Sequence, residues 1–160
     1  MRRVRALAIL AVAGWLGAGC SSSPTTFALT SASVDPQFWC PGGAKNAPYD
    51  MHATIDAQNG TSHAVSITSV TAEMTLTAVK GSWLEKVGDR YEAGTVKFDP
   101  SSIAAGSKAT IKVTIPSACT SGSYGSSLSS SGQYSVNLRV TTTAGVQTIA
   151  AKNQHQILAA

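Results

Sequence analysis

From residue 27 onward, apolar and polar residues alternate over short stretches, the period of a strand with one buried face. The clearest run is 50–57, where Met51, Ala53, Ile55 and Ala57 share one face and Asp50, His52, Thr54 and Asp56 the other. Residues 27–34 alternate more loosely and predict a first strand, stopped by Asp35-Pro36. Three prolines and a Gly pair predict a loop over 35–48. Asn59-Gly60 predicts a tight hairpin turn into the next strand. That strand carries Val65 and Ile67 on one parity, then Val70, Ala72, Met74 and Leu76 on the other. One extra residue flips a strand's faces, so the change near Ser69 predicts a bulge or a break.

Residues 80–99 hold the densest charge, with signs alternating around Trp83 and Tyr91, and predict a solvated edge hairpin. After a turn at Ala104-Ala105-Gly106, strand 108–115 turns Ile111, Val113 and Ile115 inward and is expected to end at Pro116. The Ser- and Gly-rich stretch 117–132 predicts a long loop. Strand 133–142, with Tyr134, Val136, Leu138 and Val140 inward, then pairs through Thr143-Ala144-Gly145 with strand 146–157. About seven or eight short strands at regular spacing, with no helical pattern among them, indicate an all-β antiparallel sandwich.

Two segments carry a family-level resemblance. Phe98-Asp-Pro-Ser-Ser-Ile-Ala-Ala-Gly-Ser-Lys-Ala-Thr-Ile-Lys-Val-Thr-Ile-Pro116 resembles the part of bacterial immunoglobulin-like modules in which a small-Gly-polar turn leads into an inward-alternating strand. Gly132-Gln-Tyr-Ser-Val-Asn-Leu-Arg-Val140 resembles their penultimate strand. The resemblance implies a single immunoglobulin-like β-sandwich over 27–160. Cys119 follows a strand instead of lying two residues beyond Tyr134, so the inter-sheet disulfide of antibody domains is not expected. The resemblance implies a fold and no activity.

The start of the chain is different. Arg2, Arg3 and Arg5 precede Ala6–Leu16, an uncharged apolar run with the length and flanks of a secretory signal peptide. A spanning helix needs about 20 apolar residues, and here polar Ser21-Ser22-Ser23-Pro24-Thr25-Thr26 intervenes first. Leu16-Gly17-Ala18-Gly19-Cys20 resembles a bacterial lipobox, although Gly17 stands where lipoboxes usually carry Leu. That resemblance implies a signal peptide over 1–19, acylation at Cys20, and a flexible tether over 20–26. Two or three acyl chains anchor stably, at about 0.8 kcal/mol per buried CH₂. With Ser21 after the Cys, it also implies a place at the outer membrane of a two-membrane host, or on the outer face of a single membrane. The alternative is an ordinary secreted protein cleaved beside Cys20.

Charge changes once the signal is set aside. Of twelve basic residues, Arg2, Arg3 and Arg5 leave with it, so nine face eight acidic ones. Near-neutral balance gives no footprint for nucleic acid. With Cys20 given to lipid, Cys40 and Cys119 remain as an even pair in an oxidising compartment, and a disulfide between them is expected. Two buried thiols or half of a metal site are the alternatives. There is no CxxC and no His within five residues of either Cys, so zinc is unsupported.

Candidate chemistry is sparse. Asp50, His52 and Asp56 share a face, but Asp50 and Asp56 stand about 20 Å apart along a strand, too far for one ion. Met51, His52, His63 and Met74 resemble the mixed soft ligands of periplasmic copper carriers, yet Met51 and Met74 fall on inward parities and read as core. No GxSxG, HExxH or correctly placed SxxK occurs, and the serines of 122–131 lack a strand–turn–helix setting. Trp39, beside Cys40, is expected to pack on the disulfide, and Trp83 is the candidate exposed contact. These residues indicate a lipid-anchored, non-enzymatic envelope module with no cofactor. Its expected partners are the membrane, through Cys20, and another envelope protein or cell-wall polymer. The alternative is a periplasmic carrier of a small ligand or metal.

Overall fold

The computed structural model describes residues 25–121 and 130–159, so the segments 1–24 and 122–129 and residue 160 lie outside the description. In chain order the strands are β1 Phe27–Val34, β2 Gln37–Cys40, β3 Ala47–Asn59, β4 Val65–Lys80, β5 Arg90–Glu92, β6 Lys97–Asp99, β7 Ser102–Ile103, β8 Lys108–Cys119, β9 Ser130–Thr142, β10 Gly145–Ala150 and β11 His155–Ala159. One sheet runs β1-β3-β8-β6 and the other β2-β11-β9-β4-β5, with β10 also on β9 and β7 on the start of β4. By chain order these are the A-B-E-D and G-F-C-C′ sheets of an immunoglobulin-like sandwich. β2 is an extra strand lying parallel to β11. The protein is therefore all-β, with an immunoglobulin-like β-sandwich as its fold.

The period of two places the core between the sheets. Met51, Ile55, Ile111, Val113 and Ile115 enter it from one side, and Val70, Met74, Leu76, Val136, Leu138 and Val140 from the other, all buried. Both methionines are thus core residues. The parity change near Ser69 is a register shift between Ile67 and Ser69 in the β4–β9 ladder.

Several local expectations give way to tertiary structure. Asn59-Gly60 makes no hairpin, because β3 and β4 belong to opposite sheets and residues 60–64 cross between them. Asn59 is instead fully buried, and its amide grips the crossing. The charged stretch 80–99 makes no hairpin either: β5 pairs with β4 and β6 with β8, so the chain changes sheet there too. Gln37–Cys40, expected in a loop, adds to β11 as a short strand.

Pro116 does not end β8, which continues to Cys119 along β3. The other neighbour, β6, reaches only as far as Thr114, so the missing N–H of Pro116 interrupts no ladder on that side. The last predicted strand is split, with β10 and β11 both on β9 and residues 151–154 looping out between them. That loop reaches the other sheet, where Lys152 N–H donates to the Ala32 carbonyl at 2.9 Å. Asn153 then accepts from Val34 N–H at 3.1 Å and donates to its carbonyl at 2.8 Å. Gln147 repeats the device on Leu29 N–H and the Phe27 carbonyl. Two side-chain amides therefore stitch β1 to the opposite sheet.

β3 alone is thirteen residues long, about 40 Å at strand rise. Its Asn59 end pairs with Phe27, where the described chain enters the sandwich. Its Ala47 end pairs with Cys119, which forms a disulfide with Cys40 across 5.9 Å between Cα atoms. The entry and the disulfide thus lie at opposite ends.

Candidate functional site

The disulfide end carries a cleft of about 210 Å³ between the mouths of the two sheets. Trp83, Leu84 and Glu85 of the loop after β4 form one wall, and Ala118, Cys119 and Thr120 form the other, with Tyr91, Tyr134 and Ile157 between. Gly81 starts that loop with φ of +70°, the left-handed region that glycine enters without penalty. The chain then turns Trp83 back over the end of β9. Gly132 makes room for it, since a Cβ there would meet the indole ring at 2.6 Å.

Three polar groups meet at the aromatic wall. Trp83 Nε1–H donates to Tyr134 Oη at 3.1 Å and more weakly to Glu85 Oε2 at 3.4 Å. The Tyr134 hydroxyl donates to the same Glu85 oxygen. Tyr134 is only 5% exposed, and burial, followed by this bond to a carboxylate, drives its pKa far above the usual phenol value. It therefore stays neutral and keeps its proton on the side of Glu85.

The two tryptophans exchange their expected roles. Trp83 is half-buried against Gly132. Trp39 is 58% exposed. The reason is parity: Cys40 turns inward to reach Cys119, so its neighbour in an extended strand must point outward. Phe38, one residue earlier, faces in and stacks on Tyr49 with ring centroids 3.8 Å apart. Sequence reasoning did not single out Glu85 or Tyr134. The available signal was a tyrosine on an inward parity near a strand end, whose hydroxyl requires a buried partner.

His155 is the ladder partner of Tyr134, lies outside the cleft lining and is buried. Its Nδ1 is 2.7 Å from the Asp35 carbonyl, which can only accept, so Nδ1 carries the proton. Nε2 then accepts from the Tyr49 hydroxyl at 3.0 Å. Burial raises Tyr49 to about 12. Burial also lowers the pKa of His155, outweighing the Asp35 carbonyl and carboxylate that pull the other way. The folded protein resists protonation that the unfolded chain accepts near pH 6.5. Stability is therefore full above that pH, and falls by up to about 1.4 kcal/mol per unit below it until the folded-state pKa is reached. Urea midpoints measured from pH 8 to 5 should decline below pH 6.5, and a flat profile would refute the buried neutral ring.

Asp50, His52 and Asp56 all face solvent. His52 Nδ1 pairs with Asp35 at 3.0 Å, and Asp56 accepts from Thr110. Among the described residues no group of three His, Cys, Asp or Glu side chains could hold a metal ion. No helix among them is long and apolar enough to cross a membrane. Cys20 lies outside the described residues.

No protein-family model and no curated protein matches the sequence. Among solved structures, the chain is similar to a PapD-like domain of human CEP192, at 12% identity, TM-score 0.32 and 98% coverage of both chains. It is also similar to AggA, the major subunit of aggregative adherence fimbriae type I from Escherichia coli, at 9% identity and TM-score 0.36, over 84% of this chain and 95% of that one. A third likeness is to the Vibrio cholerae VesB protease, at 13% identity and TM-score 0.28, over 80% of this chain and 32% of that one. At these levels none bears on activity, and the fold assignment rests on the strand order.

Proposed function

We propose that this chain is a lipid-anchored cell-envelope protein that works as a non-enzymatic interaction module, docking a partner at its disulfide end. One observation carries the docking half. Six large apolar side chains are exposed among the described residues, and five of them, Trp39, Val79, Leu84, Val87 and Tyr91, belong to the half that holds the cleft. Only Val146 lies in the other half, in β10 beside the chain's entry. Scattered exposed apolar groups need no explanation, whereas Leu84 and Tyr91 line the cleft itself and three more are exposed in the same half, a bias that favours a binding surface there.

The lipobox-like Leu16–Cys20 supports the anchoring half. The two fit together geometrically. A chain held at Cys20 enters its sandwich at the Phe27 end, and the cleft lies at the other end of β3, about 40 Å along the strand.

Two measurements test the proposal. Cys20→Ala should move the protein from the membrane fraction to the soluble fraction, and retention in the membrane would overturn the anchor. A photo-crosslinking residue at Leu84 should capture a defined envelope component that the same residue at Thr54, on the polar outer face of β3, does not. Equal labelling from both positions would overturn docking at the cleft end.

A further inference from the structure

We infer that the cleft takes the side chain of a lysine presented by a protein partner, an inference that rests on the docking reading above. Size comes first. At about 210 Å³ the cleft is smaller than the roughly 300–1,000 Å³ of pockets for drug-sized ligands, so it suits one inserted side chain.

Charge comes second. Glu85 sits on the wall, and neither ion pair among the described residues, His52–Asp35 or Arg90–Glu73, includes it. A carboxylate at an aromatic cleft with no ion-pair partner among the described residues complements an incoming cation.

Geometry then chooses between the two long basic side chains. Glu85 Oε2 already accepts from Tyr134 and Trp83, while Oε1 has no hydrogen bond among the described residues. A guanidinium binds best as a fork across both carboxylate oxygens, and here one of them is taken. An ammonium needs only one. Ile157 and Ala118 can line the aliphatic stem of a lysine.

The full chain in detergent, titrated with N-acetyl-lysinamide, tests this through the indole N–H resonance of Trp83. A saturable shift is expected. N-acetyl-norleucinamide, which keeps the stem and lacks the charge, should bind about tenfold more weakly, as should lysinamide to Glu85→Gln. N-acetyl-argininamide should also bind more weakly than lysinamide. No saturable shift, equal binding of norleucinamide, or arginine binding as well as lysine would each overturn the inference.

Glu85→Gln keeps a side-chain oxygen for Tyr134 and should melt with the wild type. Gly132→Ala is the second variant. Its new methyl displaces Trp83 from the cleft wall while keeping the Glu85 charge, and it should also weaken lysinamide binding. Crosslinking from Leu84 separates the two levels of the argument. Capture unchanged by Glu85→Gln would overturn lysine recognition alone. No specific capture by the wild type would overturn the docking reading beneath it.

Discussion

Replacing both cysteines, as Cys40→Ala/Cys119→Ala, should lower the free energy of unfolding by about 4.5 kcal/mol. The bond closes a loop across a sequence separation of 79, and the chain-entropy relation for a loop of that length gives about this value at 25 °C. A domain of this size has only about 5–15 kcal/mol in all, so the variant should stand near the threshold of folding. The loss should also be felt unevenly. β2 is four residues long and among the described strands pairs with β11 alone, so without the bond it is held chiefly by that ladder and the Phe38–Tyr49 stack. Cys119 also lines the cleft. Denaturation in guanidinium with and without dithiothreitol gives the measurement. Reductant should shift the wild-type midpoint down and leave the variant unmoved, and an unshifted wild type would show that the bond adds nothing.

Asn59→Ala should cost about 3 kcal/mol, more than an ordinary polar-to-alanine change on a strand. The side chain is 0% exposed. Its Nδ2 donates to the carbonyls of His63, Ile103 and Ala104, at 2.8, 3.0 and 3.2 Å. Its Oδ1 accepts from the Thr61 N–H and hydroxyl. Alanine removes every partner at once, and each buried group left unpaired costs about 1–3 kcal/mol, although water entering the gap recovers some of it. Asn59→Asp should be worse at neutral pH, because an acceptor-only carboxylate would then face three carbonyl oxygens. Acidification should partly restore that variant, since a protonated carboxyl can donate once. Urea titrations of the three proteins at pH 7 and pH 5 measure this, and coincident midpoints would refute the role assigned to the amide.

Facing positions were legible in the sequence wherever the period of two was clean. Met51–Ala57, Ile111–Ile115 and Tyr134–Val140 point where their alternation says, and the slip near Ser69 announced a real register shift. Pairing partners were not legible. Asn59-Gly60 carries a strong local hairpin signal, yet sheet membership is decided by the whole sandwich, and Asn59 serves the crossing between sheets. Pro116 misled for a related reason, because a missing N–H matters only where a neighbouring strand would have used it. The cleft was the hardest to foresee. It depends on Gly132, far along the chain from Trp83, offering an empty place for an indole, and no local pattern encodes that match.

The two amide stitches on β1 carry a consequence for life in a crowd. A row of unpaired backbone groups invites an identical chain to add itself, and repetition of that step builds fibres. Along β1 the invitation is narrowed, because Gln147 occupies groups at one end of the strand and Asn153 at the other. Of the other outer strands, β2, β5 and β6 are only three or four residues long, while β10, paired with β9 alone among the described strands, runs to six. Copies of this domain brought shoulder to shoulder therefore meet a β1 edge whose end groups are already taken.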